Sequence, residues 1–425
     1  MSQPDPPCPI DRRRFLLAAL ASTALGRGAR ADDLPPARAV TKGPRHHWFG
    51  YYDKLEFDPA GRYLLGMEVD FEHRSPRPDD SIAVGLVDLR DGDRWTELGR
   101  TTAWNWQQGC MLQWLPGSET EVLWNDRDGD RFVARILDVT TGGSRTIPAP
   151  IYAISPDATW AVAPDFRRLH DTRPGYGYAG IPDPNARIDA PDDAGIWRTD
   201  LASGKVERIL TFRQVAELPY DGLIAEGPKP ADSKHWFNHL LVSPDGSRFV
   251  FLHRWKTPEA KTWLTRMITC KPDGTDLYVL NPSGMTSHFI WRDPTHILAW
   301  ALHPSRGPKF CVFEDKTRNI EVVGPDAMTQ DGHCTYLPGH GDRWIVNDTY
   351  PDAGRLQHPY LFDTKTGRRH PLGHFASPPG YNGEWRVDTH PRSSPDGRLV
   401  AIDSPHGGDG RQLYVIDVSG IVGGR

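Results

Sequence analysis

One turn recurs seven times along this chain, and it confines the fold more than any other feature. Its copies are Asp58-Pro59-Ala60-Gly61, Leu115-Pro116-Gly117, Ser155-Pro156-Asp157, Ser243-Pro244-Asp245-Gly246, Arg292-Asp293-Pro294, Leu337-Pro338-Gly339 and Ser394-Pro395-Asp396-Gly397. A short apolar strand follows most of them, as at residues 62–67, 248–252, 297–301 and 398–402. A further strand often ends in aspartate, at Asp88, Asp138, Asp200, Asp363 and Asp417. Most anchors stand about 40 to 57 residues apart. Four strands per unit at that spacing predict an all-β chain, a seven-bladed β-propeller of four-stranded antiparallel blades over residues 32–425. A two-sheet sandwich is the alternative, and seven similar turns argue against it. Helix-period segments are scarce; residues 213–218 predict one short turn of helix. The 41 Gly, 39 Pro and 15 Trp suit a turn-rich β protein with aromatic surfaces for flat ligands.

One interval is too long. From Pro156 to Pro244 the chain runs without an anchor, which predicts an insertion over about residues 165–235. It carries Arg167, Arg168, Arg173 and the pair Tyr176 and Tyr178 between glycines. Long insertions in compact repeats are commonly functional loops. The paired tyrosines argue for an ordered loop that presents rings.

The N-terminus has the order of an export signal. Arg12-Arg13-Arg14 precedes an apolar run over 15–25, and Ala29-Arg30-Ala31 offers a small-residue cleavage site before Asp32. Residues 1–31 therefore read as a twin-arginine signal, too short to span a bilayer. That predicts export by the twin-arginine translocase to the periplasm or medium, with no membrane attachment after cleavage. A folded-protein route is compatible with a metal loaded before export. Cys8 leaves with the signal. Cys110, Cys270, Cys311 and Cys334 are widely spaced and make no zinc-finger or thioredoxin pattern. Cys110, Cys311 and Cys334 lie in apolar runs and read as buried thiols, although the compartment would permit a disulfide. A formal charge of −5 with no basic block argues against nucleic acid as a partner.

Four histidines occupy matched places in the repeat: His239, His288, His333 and His390 each stand five residues before a turn residue, Pro244, Asp293, Pro338 and Pro395. Equivalent positions in a propeller share one radius, so four imidazoles there can converge on a metal or on proton-transfer chemistry. Repeated histidines in WD-type propellers instead form structural ladders, within a Gly-His and Trp-Asp framework that is absent here. In blade one the same column holds Lys54, inside Phe49-Gly-Tyr-Tyr-Asp-Lys54, and blade two offers Trp104, Trp106 and Gln108. Lysine, glutamine, tyrosine and tryptophan at one mouth suit a hydroxyl-rich anionic ligand, with Lys54, Gln108, Trp106 and Tyr176 as substrate contacts. Core packing explains Trp104 and Trp106 equally well. Gln330 can bind a hard ion or bond its own turn. Arg254 can hold a carboxylate or form a surface pair. Of His46 and His47, adjacent on one strand, at most one reaches the mouth.

The seven-bladed frame and the histidines of blades four to six resemble oligogalacturonate lyases and related propeller polysaccharide lyases, including ulvan lyases. The resemblance implies a divalent ion, typically manganese, at the channel mouth on histidines and a glutamine, with a nearby histidine for proton transfer. By that likeness His239 is the catalytic candidate, with His288, His333 and Gln330 as ligands. The family's second histidine after the blade-six ligand is Thr335 here, so His390 replaces it from blade seven or the site is degraded. The expected reaction is β-elimination on an anionic oligosaccharide, pectin fragments first. His239 takes the C5 proton, Arg254 assists at the carboxylate and Tyr178 protonates the leaving oxygen. The competing class is a sugar-binding or envelope-assembly propeller without turnover. A glycoside hydrolase would need two carboxylates across the channel, and Asp53, Asp331 and Asp388 do not repeat as the histidines do.

Overall fold

The computed structural model describes residues 34–224 and 227–423; the expected signal segment lies outside them. Seven four-stranded antiparallel sheets follow one another along the chain, as the turn repeat predicts. The inner strands of blades two to five are Gln113–Trp114, Ala153–Ile154, Lys234–Val242 and Thr286–Asp293. Those of blades six and seven are Thr335–Tyr336 and Arg392–Ser393. The last blade is closed by the first strand of the fold: Ala37–Ala39 pairs with Tyr414, Val415 and Ile416. Pairing the two ends of the chain in one sheet removes the open edge that a seven-sheet ring would otherwise leave.

The recurring turn has a simple chemistry. In Ser155-Pro-Asp157, Ser243-Pro-Asp245 and Ser394-Pro-Asp396 the serine hydroxyl donates to the aspartate two residues on, at 2.6, 2.7 and 2.5 Å. The same hydroxyl oxygen accepts the backbone N–H five residues on, from Trp160, Arg248 and Leu399. Proline presets the turn, and Gly246 and Gly397 take the left-handed conformation it needs. The strand-ending aspartates do related work. Asp138 and Asp200 each accept the N–H groups of the two residues that open the next turn.

Between these turns the second strands, such as Phe249–Lys256, are buried almost throughout, because each sheet packs a neighbour on both faces. All four cysteines among the described residues are buried free thiols. Blades are also latched to one another. Asn125 exchanges hydrogen bonds with the backbone of Ile151 in the next blade. Asp348 accepts from Thr389 and from the His390 N–H, and Asp403 accepts from the N–H groups of Phe49 and Gly50. The polar end of a strand in one blade thus holds the inner segment of the next.

The expected insertion is shorter than residues 165–235. Strands Gly195–Asp200 and Val206–Thr211 fall inside that range and complete blade three. The true excursions are residues 165–194, with α-helix Phe166–Thr172, and residues 212–233, opened by α-helix Phe212–Ala216 under a capping box. Arg168 fixes the first excursion by bonding Asp183 and the backbone oxygens of Asn185, Asp189 and His235. Among the described residues no helix is long and apolar enough to cross a membrane.

Candidate active site at the channel mouth

Blade one builds the site by interrupting its own inner strand. His46–Trp48 pairs with residues 67–69, and Phe57 pairs with Leu64, but residues 49–56 leave the sheet between them. This loop carries Tyr51, Tyr52, Asp53 and Lys54 inward, where the histidines of blades four to seven surround them. The Tyr52 ring lies 5.6, 5.9 and 5.4 Å from the rings of His239, His288 and His333. Tyr51 lies 4.9 Å from His239 and 5.5 Å from His390. Two of the histidines are placed by strained backbone: His239 and His390 have φ of 51° and 40°. His239 sits in a bulge of its strand, which turns its ring out of the ordinary alternation.

His288, His333 and His390 form one group. Neighbouring ring centroids are 4.1 Å apart for His288 and His333, and again for His333 and His390. Asp388 joins it: ligand atoms of His333, Asp388 and His390 all lie within 4.8 Å of one another. Both faces of His333 are assigned. Its Nδ1 bonds the buried Asp348 carboxylate at 2.9 Å, which leaves Nε2 free toward the group. His288 bonds Asp331 through Nδ1 at 3.0 Å. Burial, with the neighbouring His333, lowers the pKa of His288. Burial, with charge from His333, Arg392 and Arg386, takes His390 well below the usual range. Burial acts the same way on His333, but the Asp348 carboxylate outweighs it and the pKa is raised. His333, His390 and Asp388 are a donor set for a divalent ion, with the His288 ring beside them.

His239 stands apart from that group. It is fully buried, stacked on Phe289 at 3.9 Å. Its Nε2 meets Asp53 at 3.2 Å, and Asp53 also pairs with Lys54 at 3.1 Å. Its Nδ1 faces the Tyr51 hydroxyl at 3.3 Å. The Tyr52 hydroxyl comes within 3.5 Å of His239 Nε2, but donates its proton to the Phe289 carbonyl at 2.8 Å. Burial takes the His239 pKa down to about 4 against the opposing pull of Asp53. The ring is therefore neutral near pH 7, with a lone pair directed at Tyr51. Lys54 and Gln108 line the same wall: Lys54 Nζ is 4.7 Å from the Tyr152 ring centre, and Gln108 donates to the Tyr152 hydroxyl at 2.8 Å.

A basic face adjoins the metal-type group. Arg386 donates to Asp388 at 2.8 Å and to the Tyr176 hydroxyl at 2.8 Å. Arg173 lies over the Tyr176 ring at 3.8 Å.

Several expected residues are placed differently. Tyr178 is not at the mouth. Its ring stacks on Phe166 at 4.2 Å in the core and its hydroxyl accepts from Asn125, so it cannot reach a leaving group. Trp106 is core as well, packed against Trp48 and Trp104, with its N–H bonded to the Arg74 carbonyl. Gln330 is exposed, and among the described residues no hydrogen bond ties it to the histidines; Asp388 stands in the group instead. Arg254 is buried rather than a surface pair, 5.6 Å from the Trp263 ring, with no ring contact or hydrogen bond to the four histidines. His47 bonds Gln412 and Glu68, and His46 meets Glu72, so neither reaches the mouth. A surface cavity of about 860 Å³ lined by residues from Ile188 to His235 contains none of the four histidines.

The sequence places Tyr51 and Tyr52 at the mouth only as part of the Phe49–Lys54 segment, without a role for either, and gives no sign of Asp348. Sequence reasoning named Asp388 and Asp331 only as acids for a hydrolase. A signal was present for those two: Asp331-Gly-His333 and Asp388-Thr-His390 repeat one Asp-x-His spacing in successive blades.

No protein-family model and no curated protein matches this chain. Solved structures do. An oligogalacturonate lyase from Vibrio parahaemolyticus is 14% identical, over 91% of this chain and 95% of that one, with a TM-score of 0.62. An oligogalacturonate lyase in complex with manganese is 17% identical, over 90% of this chain and 93% of that one, with a TM-score of 0.61. At these identities the likeness is one of fold: this chain has the seven-bladed propeller architecture of oligogalacturonate lyases across nearly its whole described length.

Proposed function

We propose that this chain is a lyase that cleaves uronate-containing oligosaccharides by β-elimination, with oligogalacturonate as first substrate and a divalent ion, manganese by preference, as cofactor. The observation that carries this reading is the convergence of His288, His333, His390 and Asp388 at one mouth of the propeller, beside Arg386 and Arg173. The two oligogalacturonate lyases of like fold, one of them in complex with manganese, support it. The donor set fits such an ion, because Asp348 occupies Nδ1 of His333 and leaves Nε2 to coordinate. An ion held there supplies positive charge against the sugar carboxylate, which makes the neighbouring C5 proton easier to remove.

The chain's own residues supply the rest. In the elimination the C5–H bond breaks, its electron pair forms the C4–C5 double bond, and the C4–O bond breaks with a proton going to the departing oxygen. Neutral His239, held by Asp53, is the base. Its enclosure means that it acts through the Tyr51 hydroxyl, the group its Nδ1 faces. Tyr176 takes the role expected of Tyr178: its hydroxyl oxygen accepts from Arg386 and keeps its own proton to donate. Lys54 and Gln108 line the pocket wall. Export through the twin-arginine translocase, and a periplasmic or secreted location, belong to the same proposal and rest on residues 1–31.

The full burial of His239 favours a second reading, a sugar-binding propeller without turnover. One experiment separates the two. Purified mature protein is analysed for bound metal and then offered uronate glycans while ultraviolet absorbance of the new double bond is followed. Bound metal with rising absorbance supports the lyase. Binding without any absorbance change, across galacturonate, glucuronate and ulvan-type substrates, sinks it.

A further inference from the structure

Away from the histidines, guanidinium groups and aromatic rings alternate in an unbroken series. It starts at Asp388, which pairs with Arg386; Arg386 bonds the Tyr176 hydroxyl. Arg173 covers the Tyr176 ring at 3.8 Å and also lies 4.9 Å from the centre of the Trp263 ring. Arg254 lies 5.6 Å from that same indole. Two cations thus share one ring.

Among the described residues neither cation meets an acid. Arg254 is only 5% exposed, and among the described residues its Nε and Nη1 are buried without hydrogen-bond partners. Arg173 Nη1 is in the same state. No carboxylate of the described residues pairs with either of them, whereas Arg168, Arg392 and Arg411, buried elsewhere in the molecule, each meet an acid. A buried guanidinium lacking partners is costly unless something supplies acceptors. The group whose geometry fits its fork is a carboxylate or another planar oxyanion. Trp263 is 37% exposed, so its ring stays accessible for a sugar face to stack on.

We propose that Arg173 and Arg254, both beside Trp263, form a second carboxylate subsite for an acidic sugar residue of the same oligosaccharide, beyond the one at the metal-type group. The inference rests on the reading of the mouth as a uronate site and extends it: the protein selects acidic chains by length as well as by charge. A substrate too short to reach from the Asp388 end to Trp263 forgoes the Arg254 contact.

The test is calorimetric, on the full mature protein loaded with manganese. The probes are a galacturonate trimer and its fully methyl-esterified form. Arg254→Met and Arg173→Met keep the bulk of the side chain, and their melting temperatures report whether they fold. Loss of charge-assisted hydrogen bonds to one carboxylate should weaken the trimer by roughly ten- to a hundredfold in each variant. The methyl ester should bind wild type weakly and show no further loss in either variant. Folded Arg254→Met that binds the trimer as tightly as wild type overturns the subsite alone. A wild-type protein that binds no galacturonate trimer overturns the uronate reading and the subsite with it.

Discussion

The Nδ1 of His333 and the carboxylate of Asp348 meet at 2.9 Å, and the same carboxylate accepts the backbone N–H of His333 at 2.7 Å. Ring and backbone are therefore fixed together. Asp348 also accepts the Thr389 hydroxyl and the His390 N–H, so one buried acid orients ligand candidates of two blades. Burial opposes its charge, but the histidine and the hydrogen bonds outweigh burial and hold its pKa below the usual carboxylate range.

That relationship predicts the behaviour of metal binding. Asp348→Asn keeps the shape but removes the charge that fixes the tautomer of His333. Metal affinity should fall by about 10- to 100-fold, as for other carboxylates behind a ligating histidine. His333→Ala and Asp388→Asn should lose metal outright. Elemental analysis after gel filtration measures all three. Undiminished metal in His333→Ala would place the ion elsewhere.

His239→Ala separates base from ligand. Turnover should drop by about 100-fold or more, with metal content unchanged, because His239 lies outside the His288–His333–His390 group. Tyr51→Phe should reproduce much of that loss, since it removes the hydroxyl that Nδ1 faces. Full activity in Tyr51→Phe would mean that His239 does not act through it.

Tyr178→Phe tests a role that the fold denies. Its hydroxyl accepts from Asn125 Nδ2, which also donates to the Ile151 carbonyl, so the variant costs about 0.5–1.5 kcal/mol. Turnover should stay within about twofold, a difference small beside the typical contribution of a catalytic acid. Tyr176→Phe should be the damaging tyrosine change. Parallel rate measurements on the two variants decide it.

Stability should fall in acid, through a window set by buried neutral histidines. His239 and His235 both have pKa values lowered to about 4, burial being the leading cause. A lowered folded pKa means that the unfolded chain binds the proton first. Their contribution is present above about pH 6.5 and is lost as the pH falls toward about 4, up to about 3 kcal/mol for each. His333 and Glu56 have raised pKa values and oppose this, contributing at low pH and losing their effect as the pH rises. His253 and His390, which burial takes well below the usual range, add to the loss in acid, and the four histidines together outweigh the opposing groups below neutrality. Urea unfolding at pH 7, 5.5 and 4.5 should show stepwise loss, and His235→Gln should flatten part of it.

The buried triad of Glu56, Arg392 and Asp403 ties blade seven to the tyrosine loop of blade one. Arg392 bonds Glu56 at 2.8 and 2.9 Å and Asp403 at 2.8 Å. Arg392→Met leaves two buried carboxylates side by side, and the cost should be about 3–5 kcal/mol. Thermal unfolding reads it directly. A smaller penalty for Glu56→Gln is expected, because the Arg392–Asp403 pair survives.

The architecture was legible because a propeller repeats. Each Ser-Pro-Asp turn closes on its own hydroxyl and carboxylate within six residues, so local chemistry writes the period into the chain. The histidine column was legible for the same reason, since matched positions share one radius. What extends across blades left no such mark. Tyr51 and Tyr52 reach the histidines because blade one breaks its inner strand, and that break depends on pairing with residues 64–69. Nothing in the spacing of Tyr176 and Tyr178 shows that the first turns toward Arg386 and the second into the core against Phe166. Trp106 looked like a sugar platform and is wall instead, because Trp48 and Trp104 close over it. The sequence by itself determined the number of blades and the ring of imidazoles, both set by contacts near in the chain. Only the tertiary structure decided which of those imidazoles share a pocket and which acid holds each one, because the partners sit on different strands or blades, 15 positions apart for His333 and Asp348 and 186 for His239 and Asp53, and meet only when the sheets pack.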